Sequence, residues 1–158
     1  MAPEHLIGLV SDTHGQFRDE VTSALSGVSL ILHSGDVGGA HVLRALRDIA
    51  PVRAVFGNVD DPADPQLEPR VELTVGGLTV HVSHGHELGN PTPEKMLRAY
   101  PADILVFGHT HRALVERLDH RLVVNPGAAG PRRFNLRPSV ARLSIANGVA
   151  AAEIVWLS

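Results

Sequence analysis

Five short strand-like runs in this chain each stop at a polar loop carrying Asp, Asn or His, and this pattern constrains the fold most. Leu6–Val10 leads into Asp12-Thr13-His14, Val28–Leu32 into His33-Ser34-Gly35-Asp36, and Pro51–Phe56 into Gly57-Asn58. Leu78–Ser83 leads into His84-Gly85-His86, and Ile104–Phe107 into Gly108-His109-Thr110-His111. Short continuous apolar runs mark strands buried on both faces. Between the first three, helical spacing covers Phe17–Leu25 and Ala40–Ile49, the latter with Val42, Leu43, Leu46 and Ile49 on one face. The order β-α-β-α-β predicts parallel strands joined by right-handed crossovers. In such sheets, sites assemble at the carboxyl ends of strands, so these distant loops should converge. A glycine beside the candidate residues lets the backbone turn sharply and pass close.

The second half is connected differently. Val71–Val75 and Leu78–Ser83 flank Gly76-Gly77, a two-residue hairpin turn, and Pro93–Tyr100 reads as a short helix. Ala113–Leu118, Leu122–Val124, Val140–Ile145 and Val149–Leu157 read as strands, the last two joined by Asn147-Gly148. The expected fold is α/β, with two packed sheets and helices outside. A chain of 158 residues suits one core, so a single domain over 1–158 is expected. The Pro/Asp-rich stretch Asp60–Pro69 reads as a loop within it.

Composition removes whole classes of function. There is no cysteine, which excludes disulfides, zinc ribbons and thiol nucleophiles. The formal charge of −3 disfavours nucleic-acid binding by bulk charge. No stretch approaches the ~18 apolar residues of a spanning helix, and Leu6–Val10 is too short for a signal-peptide core. A soluble cytoplasmic protein is expected. What remains unusual is ten histidines beside one Trp and one Tyr.

Those residue types suit metal. Asp offers hard oxygen, His imidazole nitrogen, and Asn a neutral carbonyl oxygen. Asp12, His14, Asp36, Asn58, His84, His109 and His111 make seven candidates. An ion with open coordination positions takes three or four protein ligands, so seven with one shared carboxylate serve two ions. Asp36 is the bridging candidate, because a charged bridge offsets cation–cation repulsion. Two metals fit phosphoryl chemistry, activating water and holding both attacking and leaving oxygens.

Taken in order, Asp12-x-His14, Gly35-Asp36, Gly57-Asn58-x-Asp60, His84-Gly85-His86 and Gly108-His109-Thr110-His111 resemble the calcineurin-like metallophosphoesterase superfamily. Asn125-Pro126-Gly127 followed by Pro131-Arg132 is similar to its small bacterial and archaeal phosphodiesterase branch, and that branch resembles the metallophosphoesterase-like subunit of the retromer coat. The resemblance runs from about Ile7 to Arg132. It implies a two-sheet β-sandwich flanked by helices. It implies that Asp12, His14, Asp36 and His111 hold one ion, that Asp36, Asn58, His84 and His109 hold the other, and that a hydroxide bridging them attacks phosphorus in line. It gives Asp60 a supporting or catalytic carboxylate role and lets Arg132 fork onto a phosphate. Two departures stand out: Val59 occupies the place where many members have His to protonate the leaving group, and Ala128 stands where Ser often follows Asn-Pro-Gly. His86 keeps three open roles: orienting a ligand, touching substrate, or acting as the acid.

The expected cofactors are two divalent ions, manganese first, with iron, nickel or zinc as substitutes, since mixed oxygen and nitrogen ligands suit all four. The expected partner is a small phosphoester, with no membrane and no nucleic acid, and with homo-oligomerisation left open. Singly, each residue has a plainer reading. Asp12 could cap a helix, Gly35-Asp36 could be a turn, and Arg132 and Arg133 could be solvated loop charges. His5, His41 and His120 read as surface residues and His81 as structural. His33 reads equally as a ligand-orienting or a core histidine, and Gly38-Gly39 as packing at a helix start. Two rival functions are a protein-interaction scaffold that has lost its chemistry, which should lack ligands, and a nuclease, which the charge disfavours.

Overall fold

The computed structural model describes residues 4–133 and 135–158. The strand β1 (His5–Val10) pairs parallel with β2 (Leu30–His33), which pairs parallel with β3 (Val52–Ala54). On the other side of β1 runs the hairpin of β9 (Ser139–Ala146) and β10 (Val149–Trp156), with β9 antiparallel to β1. The first sheet thus has the order β10-β9-β1-β2-β3. The second contains β4 (Val71–Val75), β5 (Leu78–Val82), β6 (Ile104–Val106), β7 (Leu114–Leu118) and β8 (Arg121–Asn125) in the order β4-β5-β6-β8-β7. Its central members β5, β6 and β8 are parallel.

Alternation along each strand explains the layering, because successive side chains point to opposite faces. Ile7 and Leu9 of β1, Leu32 of β2, Ile104 and Val106 of β6, and Leu122 and Val124 of β8 meet in one buried cluster between the sheets. Their neighbours Val10 and Ile31 face outward, onto Val21 of α1 (Glu20–Ala24) and Val42, Leu43 and Leu46 of α2 (Ala40–Arg47). Leu105 and Val123 face outward on the second sheet and pack on Met96 of α3 (Pro93–Ala99). The helix α3 starts where expected: Thr92 caps it by accepting the Lys95 N–H at 3.2 Å, and Pro93 takes the first turn. Both strand faces are buried, which is why these runs carry no polar alternation.

Several element boundaries differ from the sequence expectation. The helix expected over Phe17–Leu25 shrinks to Glu20–Ala24. Its lead-in is pulled elsewhere, since the Arg18 guanidinium donates to the Gly130 carbonyl at 2.9 Å. The Pro51–Phe56 run forms ladder only over Val52–Ala54, followed by a bridge from Val55 to Glu68. The strands β7 and β8 form a hairpin across Asp119 and His120, with Asp119 in the left-handed region at φ 54°. Among the described residues no helix is long and apolar enough to cross a membrane.

Candidate metal centre

The loops after β1, β2, β3, β5 and β6 meet where the two sheets come together. Beyond β1 and β2 the parallel ladder continues through backbone bonds: Asp12 N to Gly35 O at 3.0 Å, His14 N to Asp36 O at 2.9 Å, and Gly15 N to Val37 O at 2.9 Å. Gly108 N donates to His84 O at 3.0 Å, joining the loops after β6 and β5, and Ala129 N donates to Ser11 O at 2.9 Å, tying the second sheet to the first. Five of the seven candidates, Asp12, His14, Asp36, His109 and His111, hold left-handed φ between 45° and 72°. Each such residue costs about 1–2 kcal/mol and persists where its surroundings impose it. Here the inter-loop bonds impose it, and the turned backbone aims each side chain inward.

The candidate side chains form two groups. His14 Nε2 lies 3.3 Å from His111 Nε2, and His109 Nδ1 lies 3.3 Å from His84 Nε2. Asn58 Oδ1 joins the second group, 3.0 Å from His84 Nε2 and 3.1 Å from His109 Nδ1. Both carboxylates stand between the groups. Asp36 Oδ2 is 3.6 Å from His14 Nε2 and 3.2 Å from His84 Nε2. Asp12 Oδ1 is 3.5 Å from His111, 3.8 Å from His14 and 3.9 Å from His84. Asp12, His14 and His111 could hold one cation, as could Asp12, Asp36 and His84.

The donor set passes a test of fit to cations. Asp12 is fully buried. Its Oδ2 accepts from Ser11 Oγ at 2.6 Å and from the His109 N–H at 3.1 Å, but its Oδ1 has no hydrogen-bond partner. A buried carboxylate oxygen left in that state is costly without a positive charge beside it. Burial pushes the Asp12 carboxyl up to about 7, against the pull of His84 and Ser11. Burial also opposes ionisation of Asp36, but His84, the Val59 N–H and His14 together outweigh it and hold Asp36 down at about 2. For His84, burial is outweighed by the two carboxylates and its pKa is raised. Burial lowers His14 and His109, and takes His111 down to about 4, leaving these rings neutral and able to ligate.

The remaining candidates separate clearly. Asp60 belongs to neither group and clamps loops: it accepts Val37 N at 3.0 Å, Gly57 N at 2.9 Å and Gly38 N at 3.1 Å. His86 is half-buried at the edge, its ring 5.3 Å from that of His84 and 6.5 Å from Phe56, with Nδ1 3.8 Å from Glu87 Oε1. Arg132 is exposed and, among the described residues, makes no hydrogen bond or ion pair, whereas the charge of Arg133 helps lower His14 and His111.

Sequence reasoning gave no role to two supports, Ser11 and the Asn125 side chain, and left that of His33 open. Ser11, beside Asp12, pins its carboxylate. Asn125, buried at the end of β8, donates to Thr110 Oγ1 at 3.1 Å and to Gly108 O at 3.3 Å, bracing the loop of His109. His33 is wholly buried. The Gly35 N–H donates to its Nδ1 at 3.1 Å, so its proton sits on Nε2 and goes to Thr13 Oγ1 at 3.0 Å. His41, although exposed, contacts the Gly15 carbonyl through Nε2 at 2.6 Å.

The chain is similar to known proteins along most of its length. Residues 6–148 match the Calcineurin-like phosphoesterase superfamily domain. A probable metallophosphoesterase of Methanothermobacter thermautotrophicus is 33% identical over 95% of this chain and 91% of its own length. A phosphodiesterase of Methanocaldococcus jannaschii is 25% identical over 77% of this chain and 82% of its own. The crystal structure of Chaetomium thermophilum Vps29 superposes with a TM-score of 0.79 at 20% identity, covering 97% of each chain.

Proposed function

The chain belongs to the calcineurin-like phosphoesterase superfamily, and from that premise we propose that it is a two-metal phosphodiesterase. Asp12, His14, Asp36 and His111 would hold one divalent ion, and Asp36, Asn58, His84 and His109 the other, with Asp36 shared. The observation that carries this reading is the Asp12 carboxylate, whose unpartnered, buried Oδ1 is faced by three imidazole nitrogens within 3.9 Å. When bound, the ions supply Lewis-acid polarisation of the phosphoryl oxygens and a water acidified toward ~7. Manganese is the expected metal, with iron, nickel or zinc as substitutes.

The chain's own residues do the rest. Asp60 positions the loops of Asp36 and Asn58. Arg133 offers positive charge to the substrate's phosphate. His86 meets substrate at the rim, beside Val59, which cannot donate a proton. Two cavities favour a diester. One, of about 470 Å³, includes His109, Phe107, Asn90 and Leu114; the other, of about 350 Å³, includes His111 and Trp156; Arg112 lines both. A phosphodiester has two arms to place and a monoester one.

The rival scaffold reading calls for a decayed site, and all seven candidate ligands are present in the sequence. The test is metal analysis by mass spectrometry with hydrolysis of bis(p-nitrophenyl) phosphate, before chelation, after it, and after metal is restored. About two ions per chain and metal-dependent turnover are expected. Binding of no more than one ion, or turnover indifferent to chelation, would overturn the two-metal reading.

A further inference from the structure

The cavity beside His111 carries chemistry that phosphodiester cleavage itself does not require. Its walls are Arg112, Asn135, Leu136, Arg137 and Trp156. Trp156, the chain's one tryptophan, ends β10 and leaves 49% of its surface exposed. A half-exposed indole at a cavity wall is a ready stacking face. The Arg137 Nε donates to Leu157 O at 2.8 Å, which anchors its guanidinium beside that face. Arg112 follows His111 directly, and Thr110 Oγ1 holds its backbone N–H at 3.2 Å. Asn135 supplies a side-chain amide from a left-handed turn at φ 59°.

We propose that this cavity is a nucleobase subsite and that the substrates are small nucleoside-bearing phosphodiesters. The inference rests on the phosphodiesterase reading and narrows it. An aromatic plane recognises a base by stacking, and amide and guanidinium groups recognise its ring nitrogens and carbonyls. An alkyl or lipid arm would cover the indole but make no use of the Asn135 amide or the Arg112 guanidinium. At about 350 Å³ the cavity takes one nucleoside, at the small end of ligand sites. The net charge of −3 opposes a long polynucleotide, whose binding depends on many cationic contacts.

Two arms test it, both with manganese-loaded protein. The first compares thymidine 5′-(p-nitrophenyl phosphate) with methyl p-nitrophenyl phosphate, which share a leaving group. Wild type should favour the thymidine ester by about tenfold or more in kcat/KM, the scale of one base stacked on an aromatic side chain. In Trp156→Ala that ratio should fall toward one, and in Trp156→Phe it should be largely kept. A ratio is unaffected by any fraction of misfolded variant. The second arm follows the single tryptophan's fluorescence: AMP should quench it saturably and ribose 5-phosphate should not. If wild type cleaves both esters equally, or Trp156→Ala keeps the preference, the subsite is overturned and the phosphodiesterase reading stands. If neither ester is cleaved, the phosphodiesterase reading falls, and equal fluorescence responses to AMP and ribose 5-phosphate would remove the subsite as well.

Discussion

A carboxyl buried without a full set of partners works against folding whenever it is ionised, and Asp12 is such a group. Its folded pKa of about 7 lies above the ordinary 3.8, so the folded chain holds that proton more tightly than the unfolded chain. The resulting stability is complete below about pH 4 and is lost as pH rises through 7. In metal-free protein at pH 8, Asp12→Asn should therefore raise the melting temperature, by up to about 4 kcal/mol in stability. The same variant should lose the stabilisation that manganese confers on wild type. Asp36 has the opposite sign, because a folded pKa of about 2 gives stability above pH 4 that is lost as pH falls toward 2. Asp36→Asn should thus lower the metal-free melting temperature at pH 8 while abolishing nearly all diester hydrolysis. Calorimetry on both variants checks the pair, and shifts of the same sign would show that the two carboxylates sit in equivalent fields. Asp36→Asn turning over substrate near the wild-type rate would remove it as the bridge.

Single elements hold these carboxylates through close backbone approach. A methyl group at Gly57, just past β3, would come within 2.1 Å of Asp36 Oδ1 and 2.4 Å of the Asp36 backbone nitrogen. At Gly108, just past β6, it would lie 2.1 Å from Ser11 Oγ and 2.7 Å from Asp12 Oδ2. Gly57→Ala removes no proposed ligand, yet it should weaken metal binding at least about tenfold, the loss seen when groups supporting metal ligands are disturbed. Isothermal titration with manganese, alongside an unchanged far-UV dichroism spectrum, reads this out; wild-type affinity would mean the loops yield without moving Asp36. The end of β2 adds a pH dependence. Burial holds His33 down at about 4, below its ordinary 6.5, so the unfolded chain binds that proton first. Stability should fall as pH drops from 6.5 to 4, by up to about 3 kcal/mol. NMR should find the ring neutral until about pH 4, and an imidazole titrating near 6.5 would show it in contact with water.

At the scale of the whole molecule, two sheets present their strand ends to a shared, open site. Val59 is 58% exposed at the rim and offers only its backbone N–H, to Asp36 Oδ1 at 3.0 Å. General acid help is worth ~10²–10⁴ in rate, so its lack at Val59 should appear as a steep dependence on leaving-group pKa. A diester carries one negative charge, a monoester up to two near neutral pH, and the proposed ions would be the main positive charge facing either. With one metal, one pH and p-nitrophenol as leaving group, the diester should have the higher kcat/KM. A higher value for the monoester would make the protein a phosphatase whose acid lies elsewhere, with His86 the first residue to replace.

What the amino-acid sequence determined by itself was the layout of strands and the kind of side chain at each strand end. Apolar runs report burial locally, and a Gly-Asp, Gly-Asn or Gly-His step after a run reports a sharp turn bearing a polar group; both signals are written in adjacent residues. The partnerships were not written there. His14 and His111 stand 97 positions apart and meet at 3.3 Å only because two sheets pack face to face. Tertiary structure alone turned Asp60 onto three backbone amides. It alone set Trp156 into a cavity with His111. It also shortened the first helix, by drawing Arg18 to Gly130 across the chain. Each of these depends on sheet pairing and packing between distant segments, whose geometry no local periodicity encodes.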